Sequence, residues 1–338
     1  MIEDAGAKPI RKIEQGKADL DTYGYCIHRD LLTRGETRAL LERLDEQAHL
    51  EREAGVAWLG NGARGGNTWM GYPRDANGTA PWQGIRTLLN KGRVFIDLAM
   101  NATILDYMRH AFMGREFYLS STNGLILRRG AVPMVTHTDQ LYVPFQTPIP
   151  IVTNVMICLS DFVEEMGATR VVPRSHLGPP PKLELDLTKM DLYNSEPIET
   201  IAVECEAGCA IVFDGRLWHS SGAHRSDRTR YSVSTYFALP FVRPQDDYPA
   251  SMRDDVYASL GDAERAMFGF KTGPLGRIDP RFPGDRTNVD FKAPFIPDLR
   301  AGGSSHAIAL VQKDKNAEPN AFAPEAVKRP DNGRRGGR

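Results

Sequence analysis

The sequence predicts a mainly β protein: a barrel or sandwich of antiparallel strands with helices packed on one face. Two helical patterns occupy the first third of the chain, where apolar residues recur at the spacing of one helix face. From Gly114 to about residue 242 the pattern changes to short strand-like runs, and no helical pattern separates them. Strands that follow one another in this way pair antiparallel, and the preceding helices cover one face of their sheet.

The helical segments come first in the chain. Residues 1–18 are expected to form a flexible N-terminal arm. A β-type run follows, and then Thr33 and Glu36 have the spacing of a capping box, so a helix is predicted from there to about Glu53. A second helix is predicted from about Val94 to Met113.

The β core is predicted at about 115–242, within a single domain that covers 19–300. Segments 54–84 and 177–197 are rich in Gly, Pro or charged residues, and they are predicted to be lid or insertion loops. The polar tail 301–338 is expected to be largely disordered. The strand candidates are 117–127, 149–159, 169–172, 199–203, 209–213 and 229–242.

Composition excludes several classes of partner. The chain has 338 residues, is 41% hydrophobic and 25% charged, and carries a net charge of −1. This balance argues against a nucleic acid or an anionic membrane as partner. The N-terminus shows no secretory pattern and no apolar run approaches membrane-spanning length, so a cytoplasmic location is expected. The sequence leaves the oligomeric state open, and a homodimer is one option.

The cysteines indicate a reducing compartment. Cys26, Cys158, Cys205 and Cys209 are too few and too scattered for a disulfide framework, and three of them lie in apolar runs. Cys205 and Cys209 are four residues apart, which is a weak zinc pattern without further ligands nearby.

A His-x-Asp motif carries the chemistry. His137 and Asp139 point to the same side if they lie on a strand, because strand side chains alternate with period two. His219, 80 residues after Asp139, supplies a second imidazole. Together they form the ligand set of a 2-His-1-carboxylate facial triad, which leaves open positions on Fe(II). His28-Arg29-Asp30 also fits His-x-Asp, but no partner pattern accompanies it.

Residues 119–241 resemble the phytanoyl-CoA dioxygenase family of Fe(II)- and 2-oxoglutarate-dependent oxygenases. Besides the His-x-Asp motif, the resemblance depends on ordered pieces with the family's spacing, and Arg230 lies eleven positions after His219. With weaker similarity at the N-terminus it covers about two thirds of the chain. The further pieces are Leu159-Ser160-Asp161, the run from Glu165 to His176, Ala207-Gly208 and the run from Phe213 to His219.

The resemblance implies the fold, the cofactors and several residue roles. The fold would be a double-stranded β-helix (jelly-roll, cupin-like) with the N-terminal helices packed on one sheet. The cofactors would be Fe(II), 2-oxoglutarate as cosubstrate and O₂, with ascorbate helpful in vitro. His137, Asp139 and His219 would bind the iron. Arg230 would pair with the distal carboxylate of 2-oxoglutarate, as a guanidinium fork can, and Thr169 would contact the same carboxylate.

The chain departs from the family at several positions. Related enzymes often carry Gln three residues before the first histidine, where this chain has Met134. Gln140, Asn123 or Asn154 replaces that contact, or the contact is absent. Asp139 is present, whereas halogenating relatives lack the carboxylate, so oxygen transfer is favoured over halogenation. His224 stands where the family often has Asn and is predicted to be a loop residue.

His176 is also expected to be structural, helping to order its loop rather than serving as a fourth metal ligand.

The expected substrate is a small apolar molecule. If the family layout holds, aromatic side chains surround the mouth of the iron site, namely Trp69, Tyr72, Tyr142 and Phe145. Arg128, Arg129 or Arg216 could meet a carboxylate or phosphate, although surface arginines are common.

The predicted function is therefore hydroxylation, desaturation or rearrangement at an unactivated C–H bond, in the tailoring of a secondary metabolite. The alternatives are oxidation of an acyl-CoA or lipid-like acid and, from another class, a non-redox cupin-like isomerase or sensor. Arg230 discriminates against the last of these, because a 2-oxoglutarate anchor at that spacing has no evident purpose in a plain metal-binding barrel.

Overall fold

The computed structural model describes residues 6–60, 80–140, 143, 145–186 and 191–270. Predictions for Trp69, Tyr72, Tyr142, the centres of both predicted loops and the tail 301–338 lie outside the described residues. The elements in chain order are β1 Pro9–Ile10, α1 Ile13–Tyr23, β2 Tyr25–His28, α2 Arg34–Glu53, β3 Trp58–Gly60, β4 Trp82–Ile85, α3 Arg93–Ala99, α4 Ala102–Ala111, β5 Tyr118–Leu127, β6 Val152–Cys158, β7 Thr169–Val171, β8 Leu183–Asp186, β9 Asp191–Asn194, β10 Ile201–Ala202, β11 Ala210–Asp214, β12 His219–Ser221, β13 Arg230–Ala238, α5 Tyr248–Ser251, α6 Asp254–Ser259 and α7 Asp262–Met267.

The described strands form one large sheet, one small sheet and the separate two-stranded sheet of β8 and β9. The large sheet has the order β1-β2-β11-β6-β13-β5-β4-β3, and the small sheet has the order β10-β7-β12. Only the β1–β2 pair in the large sheet is parallel. A core cluster that includes Met156 and Ile211 of the large sheet and Val171 of the small one packs between them. This arrangement is the predicted jelly-roll.

The outer face of the large sheet packs against the helices. Val155, Ile157 and Val233 alternate with inward residues along their strands and belong to the same core cluster as Leu44 of α2 and Ile104 of α4. Burying this apolar surface is the main stabilising contribution to the fold. The inner face is left free to carry polar side chains, and the predicted placement of helices on one sheet is confirmed.

The prediction of a flexible arm at 1–18 is wrong from residue 6 onward. β1 pairs with β2, and α1 ends at Gly24, whose φ of 82° suits glycine. Gly16 of α1 faces the hydroxyl of Tyr107 so closely that a side chain would not fit. Only Gly16, Asp19 and Leu20 of this helix are buried, so most of its residues are polar and the composition resembles that of a loose segment.

The capping box at Thr33 and Glu36 is confirmed, and α2 ends at Glu53 as predicted. The single helix predicted at 94–113 is instead two helices, α3 and α4. Asn101 ends the first and caps the second, because its Oδ1 accepts hydrogen bonds from the backbone N–H groups of Thr103 (3.0 Å) and Ile104 (3.2 Å).

The predicted loops contain strands at their described ends. Segment 54–84 contributes β3 and the start of β4 to the edge of the large sheet, and segment 177–197 contains the hairpin of β8 and β9. Gly and Pro in these segments obscured the short β-type runs between them.

Among the described residues no helix is both long and apolar enough to cross a membrane. The cytoplasmic location stays a prediction.

Candidate metal centre

His137, Asp139 and His219 lie together at one end of the barrel, where the sheets meet. The backbones of His137 and His219 form an antiparallel bridge with N–O distances of 3.0 and 2.9 Å. Their rings are therefore cross-strand neighbours, with centroids 4.4 Å apart. One nitrogen of each ring and one Asp139 oxygen all lie within 4.8 Å of one another. The triad predicted from the sequence is thus assembled by a single cross-strand pairing.

Both imidazoles are oriented by backbone carbonyls. His137 Nδ1 lies 2.9 Å from the Val135 oxygen, and His219 Nδ1 lies 3.0 Å from the Leu217 oxygen. A carbonyl can only accept a hydrogen bond, so each Nδ1 carries the proton and each Nε2 presents its lone pair. This arrangement is typical of metal-binding histidines.

A chain of hydrogen bonds holds Asp139. Asn154 Nδ2 donates to Asp139 Oδ2 at 3.2 Å, and Ser234 Oγ donates to Asn154 Oδ1 at 2.7 Å. The hydroxyl of Tyr236 donates to the Asp139 carbonyl at 2.9 Å. Asp139 Oδ1 remains free of this chain and lies 3.7 Å from His219 Nε2. One carboxylate oxygen is therefore fixed by the protein, and the other faces the imidazoles.

Burial keeps the first histidine neutral. Desolvation, reinforced by the neighbouring His219 and partly offset by Asp139, lowers the pKa of His137 to about 4. A neutral imidazole is the form that binds metal, so the site loses little to proton competition near pH 7.

Arg230 is a buried cation without a carboxylate partner. It is 2% exposed, its guanidinium carbon lies 4.5 Å above the Phe162 ring, and Nη1 donates to the Gly167 carbonyl. Nε has no hydrogen-bond partner among the described residues, and no carboxylate of these residues forms an ion pair with the side chain. Desolvation lowers the pKa of Arg230 to about 10. A buried guanidinium in this state fits a small carboxylate ligand.

Further buried polar groups lie on the small sheet and in the segment that leads from it to Arg230. Thr169, 4% exposed, pairs in register with Ser221, whose hydroxyl lacks a partner. His224 lies in the loop between β12 and β13, as predicted. It is nevertheless buried, with 2% of its surface exposed, and neither ring nitrogen makes a hydrogen bond among the described residues. Desolvation and then the charge of Arg230 lower its pKa to about 4. Sequence reasoning missed Ser221, although period two from His219 predicts that it shares the inward face.

Asparagine and glutamine near the centre have different roles. Asn154 contacts Asp139, as described above. Gln140 instead faces away from the triad: its Nε2 donates to Thr147 Oγ1 at 3.0 Å, and its Oε1 accepts from the Ile151 backbone at 2.8 Å. Both ends of the amide are used within the loop, so Gln140 does not replace the missing glutamine. Asn123 lies on the inner face with an unpartnered Oδ1.

The remaining predicted residues lie at the periphery. Phe145 is 68% exposed and lines a small hollow with Thr138, whose side chain alternates with those of the triad and so lies on the opposite side. Phe145 is therefore not a wall of the metal centre. Arg129 and Arg216 form ion pairs with Asp227 and Asp214, which leaves neither available for a substrate.

His176 contacts the Asp21 carbonyl at 3.2 Å, in keeping with the structural role predicted for it. The zinc interpretation of Cys205 and Cys209 gains no support, since the triad is the one metal-type cluster among the described residues.

A jelly-roll barrel with a facial triad at its open end defines the class of non-haem iron oxygenases, and the donor set fits Fe(II). A sequence model of the family described as "Phytanoyl-CoA dioxygenase (PhyH)" matches residues 20–232, more than half of the chain. The chain belongs to the phytanoyl-CoA dioxygenase family. The predicted family is thereby confirmed, and the buried Arg230, which has no carboxylate partner among the described residues, fits 2-oxoglutarate as a second cofactor.

The chain is similar to fungal dioxygenases over part of their length. Dioxygenase af480 of Aspergillus fumigatus is 29% identical over 203 residues, which cover 59% of this chain and 60% of that protein. Dioxygenase olcK of Penicillium canescens is 34% identical over 162 residues, which cover 46% of this chain and 50% of that protein. The chain thus spans between half and 60% of the length of these relatives.

Solved structures confirm the fold. The epimerase SnoN, crystallised with iron, α-ketoglutarate and nogalamycin RO, aligns with a TM-score of 0.51 and 19% identity over 74% of this chain and 92% of its own. HygX of Streptomyces hygroscopicus, with nickel, 2-oxoglutarate and hygromycin B, aligns with a TM-score of 0.50 and 17% identity over 69% and 89%.

Proposed function

We propose that this protein is an Fe(II)- and 2-oxoglutarate-dependent dioxygenase that oxidises an unactivated C–H bond of a small, largely apolar metabolite. His137, Asp139 and His219 hold the iron, and Arg230, with Thr169 beside it, binds the distal carboxylate of 2-oxoglutarate. The observation that carries the proposal is the pairing of a preoriented triad with a buried guanidinium that lacks a carboxylate. A protein that bound only a metal would have no need of the buried Arg230 guanidinium.

The residues of the chain position and protect the chemistry. Bound iron and 2-oxoglutarate supply the oxidising power, because decarboxylation of 2-oxoglutarate to succinate and CO₂ is coupled to reduction of O₂. The carbonyls of Val135 and Leu217 keep both imidazoles aimed at one point, and Asn154 keeps Asp139 in place. Arg230 is buried against the Phe162 ring, so little water reaches the guanidinium, and this strengthens its attraction for the carboxylate.

Hydroxylation is the proposed outcome, and desaturation or rearrangement would need no additional residues. The similarity to SnoN, an α-ketoglutarate-dependent epimerase from nogalamycin biosynthesis, supports a tailoring role. Oxidation of an acyl-CoA or lipid-like acid is the alternative substrate class. A non-redox isomerase or sensor is disfavoured, because it would bury Arg230 at a cost without a ligand to offset it.

The test is turnover of 2-oxoglutarate. Purified protein with Fe(II), ascorbate, O₂ and 2-oxoglutarate should form succinate slowly even without a prime substrate. Asp139→Ala should abolish succinate formation and weaken Fe(II) binding, and Arg230→Met should weaken 2-oxoglutarate binding by at least tenfold while metal binding persists. Circular dichroism of each variant checks that the fold is retained.

Wild-type protein that neither binds 2-oxoglutarate nor forms succinate would contradict the proposal. Unchanged activity of Asp139→Ala would contradict the ligand assignment alone.

A further inference from the structure

The inner face of the large sheet continues past the metal centre onto β4 and β3. Leu125 of β5 pairs with Gly84 of β4, which pairs in turn with Trp58 of β3. A side chain on Gly84 would lie 2.5 Å from the Trp58 ring, so glycine allows this ring to lie directly over the strand. Trp82 packs edge-on against Trp58, with ring centroids 4.7 Å apart. These residues extend the inner face with an aromatic wall.

Arg86 places a cation on this wall. It lies one residue beyond β4 and, by period two, on the same face as Trp82 and Gly84. Its guanidinium carbon lies 3.9 Å from the centroid of the Trp58 ring, within the range of a cation–π contact. Its backbone is held too, because buried Lys91 donates to the Arg86 carbonyl at 2.6 Å. The cation therefore has a defined position.

Arg86 has no ion-pair partner among the described residues, and its side chain is exposed. Burial of its surroundings lowers the pKa of Arg86, and Asp246 only partly offsets this effect from beyond ion-pair distance. Arg129 and Arg216, in contrast, are paired with aspartates. Arg86 is thus a positioned guanidinium on the inner face, and its hydrogen-bond donors have no partner among the described residues.

Asn123 connects this wall to the metal centre. It is 9% exposed, its Oδ1 has no partner, and it pairs in register with Ser234. Ser234 is the residue that bonds Asn154, which in turn bonds Asp139. Two strand spacings separate β4 from β13, so the backbone of Arg86 lies roughly 10 Å from that of Ser234. A small organic molecule spans this distance.

We propose that Arg86, Trp58 and Asn123 form the substrate-recognition site, and that the substrate is an organic acid whose carboxylate pairs with Arg86. The apolar body of the substrate lies against Trp58 and Trp82, and a polar hydrogen of the substrate is donated to Asn123 Oδ1. This inference rests on the proposed function, because the site faces the metal centre and selects what is oxidised there. It narrows the substrate from a small apolar metabolite to an organic acid with an apolar body and a hydrogen-bond donor.

The test uses matched pairs of acid and neutral probes. Protein loaded with Mn(II) and saturating 2-oxoglutarate is titrated by calorimetry with 4-phenylbutyrate, 4-phenylbutyramide and phenyl phosphate. Wild-type protein should bind the acid at least tenfold more tightly than the amide, as a charge-assisted hydrogen bond provides. Arg86→Gln should remove this preference, whereas Arg129→Gln, at an exposed ion pair, should retain it. Trp58→Ala should weaken the binding of the acid and of the amide to the same extent.

Equal affinity of wild-type protein for acid and amide, or no binding of the acid, overturns the inference, as does a preference that survives in Arg86→Gln. Tighter binding of phenyl phosphate than of 4-phenylbutyrate overturns the assignment of a carboxylate. Succinate formation without a prime substrate, measured on wild-type protein with Fe(II), separates the two proposals. Succinate that forms while the acid preference is missing overturns only the recognition site, whereas no succinate from wild-type protein would place the failure in the proposed function.

Discussion

At the scale of single residues, the metal centre depends on hydrogen bonds that hold its ligands before any metal binds. Asp139 is bonded through one carboxylate oxygen by Asn154, and Asn154 is bonded by Ser234. The imidazoles are bonded through Nδ1. Such preorganisation reduces the conformational entropy that metal binding would otherwise cost.

Asn154→Ala should therefore weaken Fe(II) or Mn(II) binding by roughly 10- to 100-fold, the usual effect of losing a hydrogen bond to a metal ligand. Ser234→Ala should have a smaller effect in the same direction, because it acts through Asn154. Metal titration by calorimetry measures both.

Asn101→Ala serves as the matched control, since Asn101 caps α4 and is not part of the chain that reaches Asp139. It should lower stability without changing metal affinity. A normal metal affinity in Asn154→Ala would show that Asp139 is positioned by its backbone alone.

At the scale of elements, α2 is joined to the segment before α3 by a buried ion pair. Lys91 Nζ lies 2.9 Å from Glu51 Oε1, and both side chains are fully buried. Desolvation lowers the pKa of Lys91, and Glu51 opposes that shift. Gln47 Nε2 also donates to the same Oε1 at 3.1 Å, so one carboxylate oxygen accepts both bonds. This pair fixes the end of α2 beside the strand that leads to Arg86.

Lys91→Met should lower the free energy of unfolding by about 3–5 kcal/mol, because it leaves the Glu51 carboxylate buried without its cation. The double variant Lys91→Met with Glu51→Met should recover much of that loss, since it leaves no unpaired charge. Urea denaturation measures each variant. Arg11→Ala, which removes an exposed ion pair with Asp30, should cost less than about 1 kcal/mol. A double variant no more stable than the single one would show that packing of the Lys91 chain matters more than charge.

At the scale of the whole molecule, the barrel buries titratable groups that must stay neutral. His224 is held between strands near Arg230, and desolvation lowers its pKa to about 4 from the ordinary 6.5. Between these values the unfolded chain binds a proton that the folded protein does not. The free energy of unfolding therefore falls as the pH drops from about 6.5 towards 4.

His224→Asn, the residue common in the family at this position, should make the metal-free protein less sensitive to acid. The difference in unfolding free energy between variant and wild type should shift in favour of the variant as the pH falls through this window, and should be constant above pH 7. Urea denaturation at a series of pH values measures it. A difference that does not change with pH would show that the pKa of His224 is the same in the folded protein as in the unfolded chain.

Much of the architecture could be predicted from local patterns. Period two placed His137 and Asp139 on one side of a strand, and the capping box at Thr33 predicted where α2 begins. The start of a new helix at Asn101 could also have been predicted, since asparagine is a strong N-cap. The apolar spacing continues across this position, however, and therefore suggested a single helix. The ordered structure of the N-terminal segment could not be predicted from local patterns. Its helix α1 packs through Gly16 against Tyr107, about ninety residues away in the chain.

The sequence by itself determined the ligand types and their spacing, which depend on residue type and on periodicity along one strand. Its resemblance to the family implied the jelly-roll class and the arginine that suits 2-oxoglutarate. Only the tertiary structure decided which asparagine supports Asp139 and that Gln140 faces away from the triad. It also decided that, among the described residues, Arg129 and Arg216 have ion-pair partners and Arg86 has none. Those outcomes depend on which strands become neighbours in the fold. Contacts between distant segments decide whether a buried polar group has a hydrogen-bond partner within the protein or remains available for a ligand.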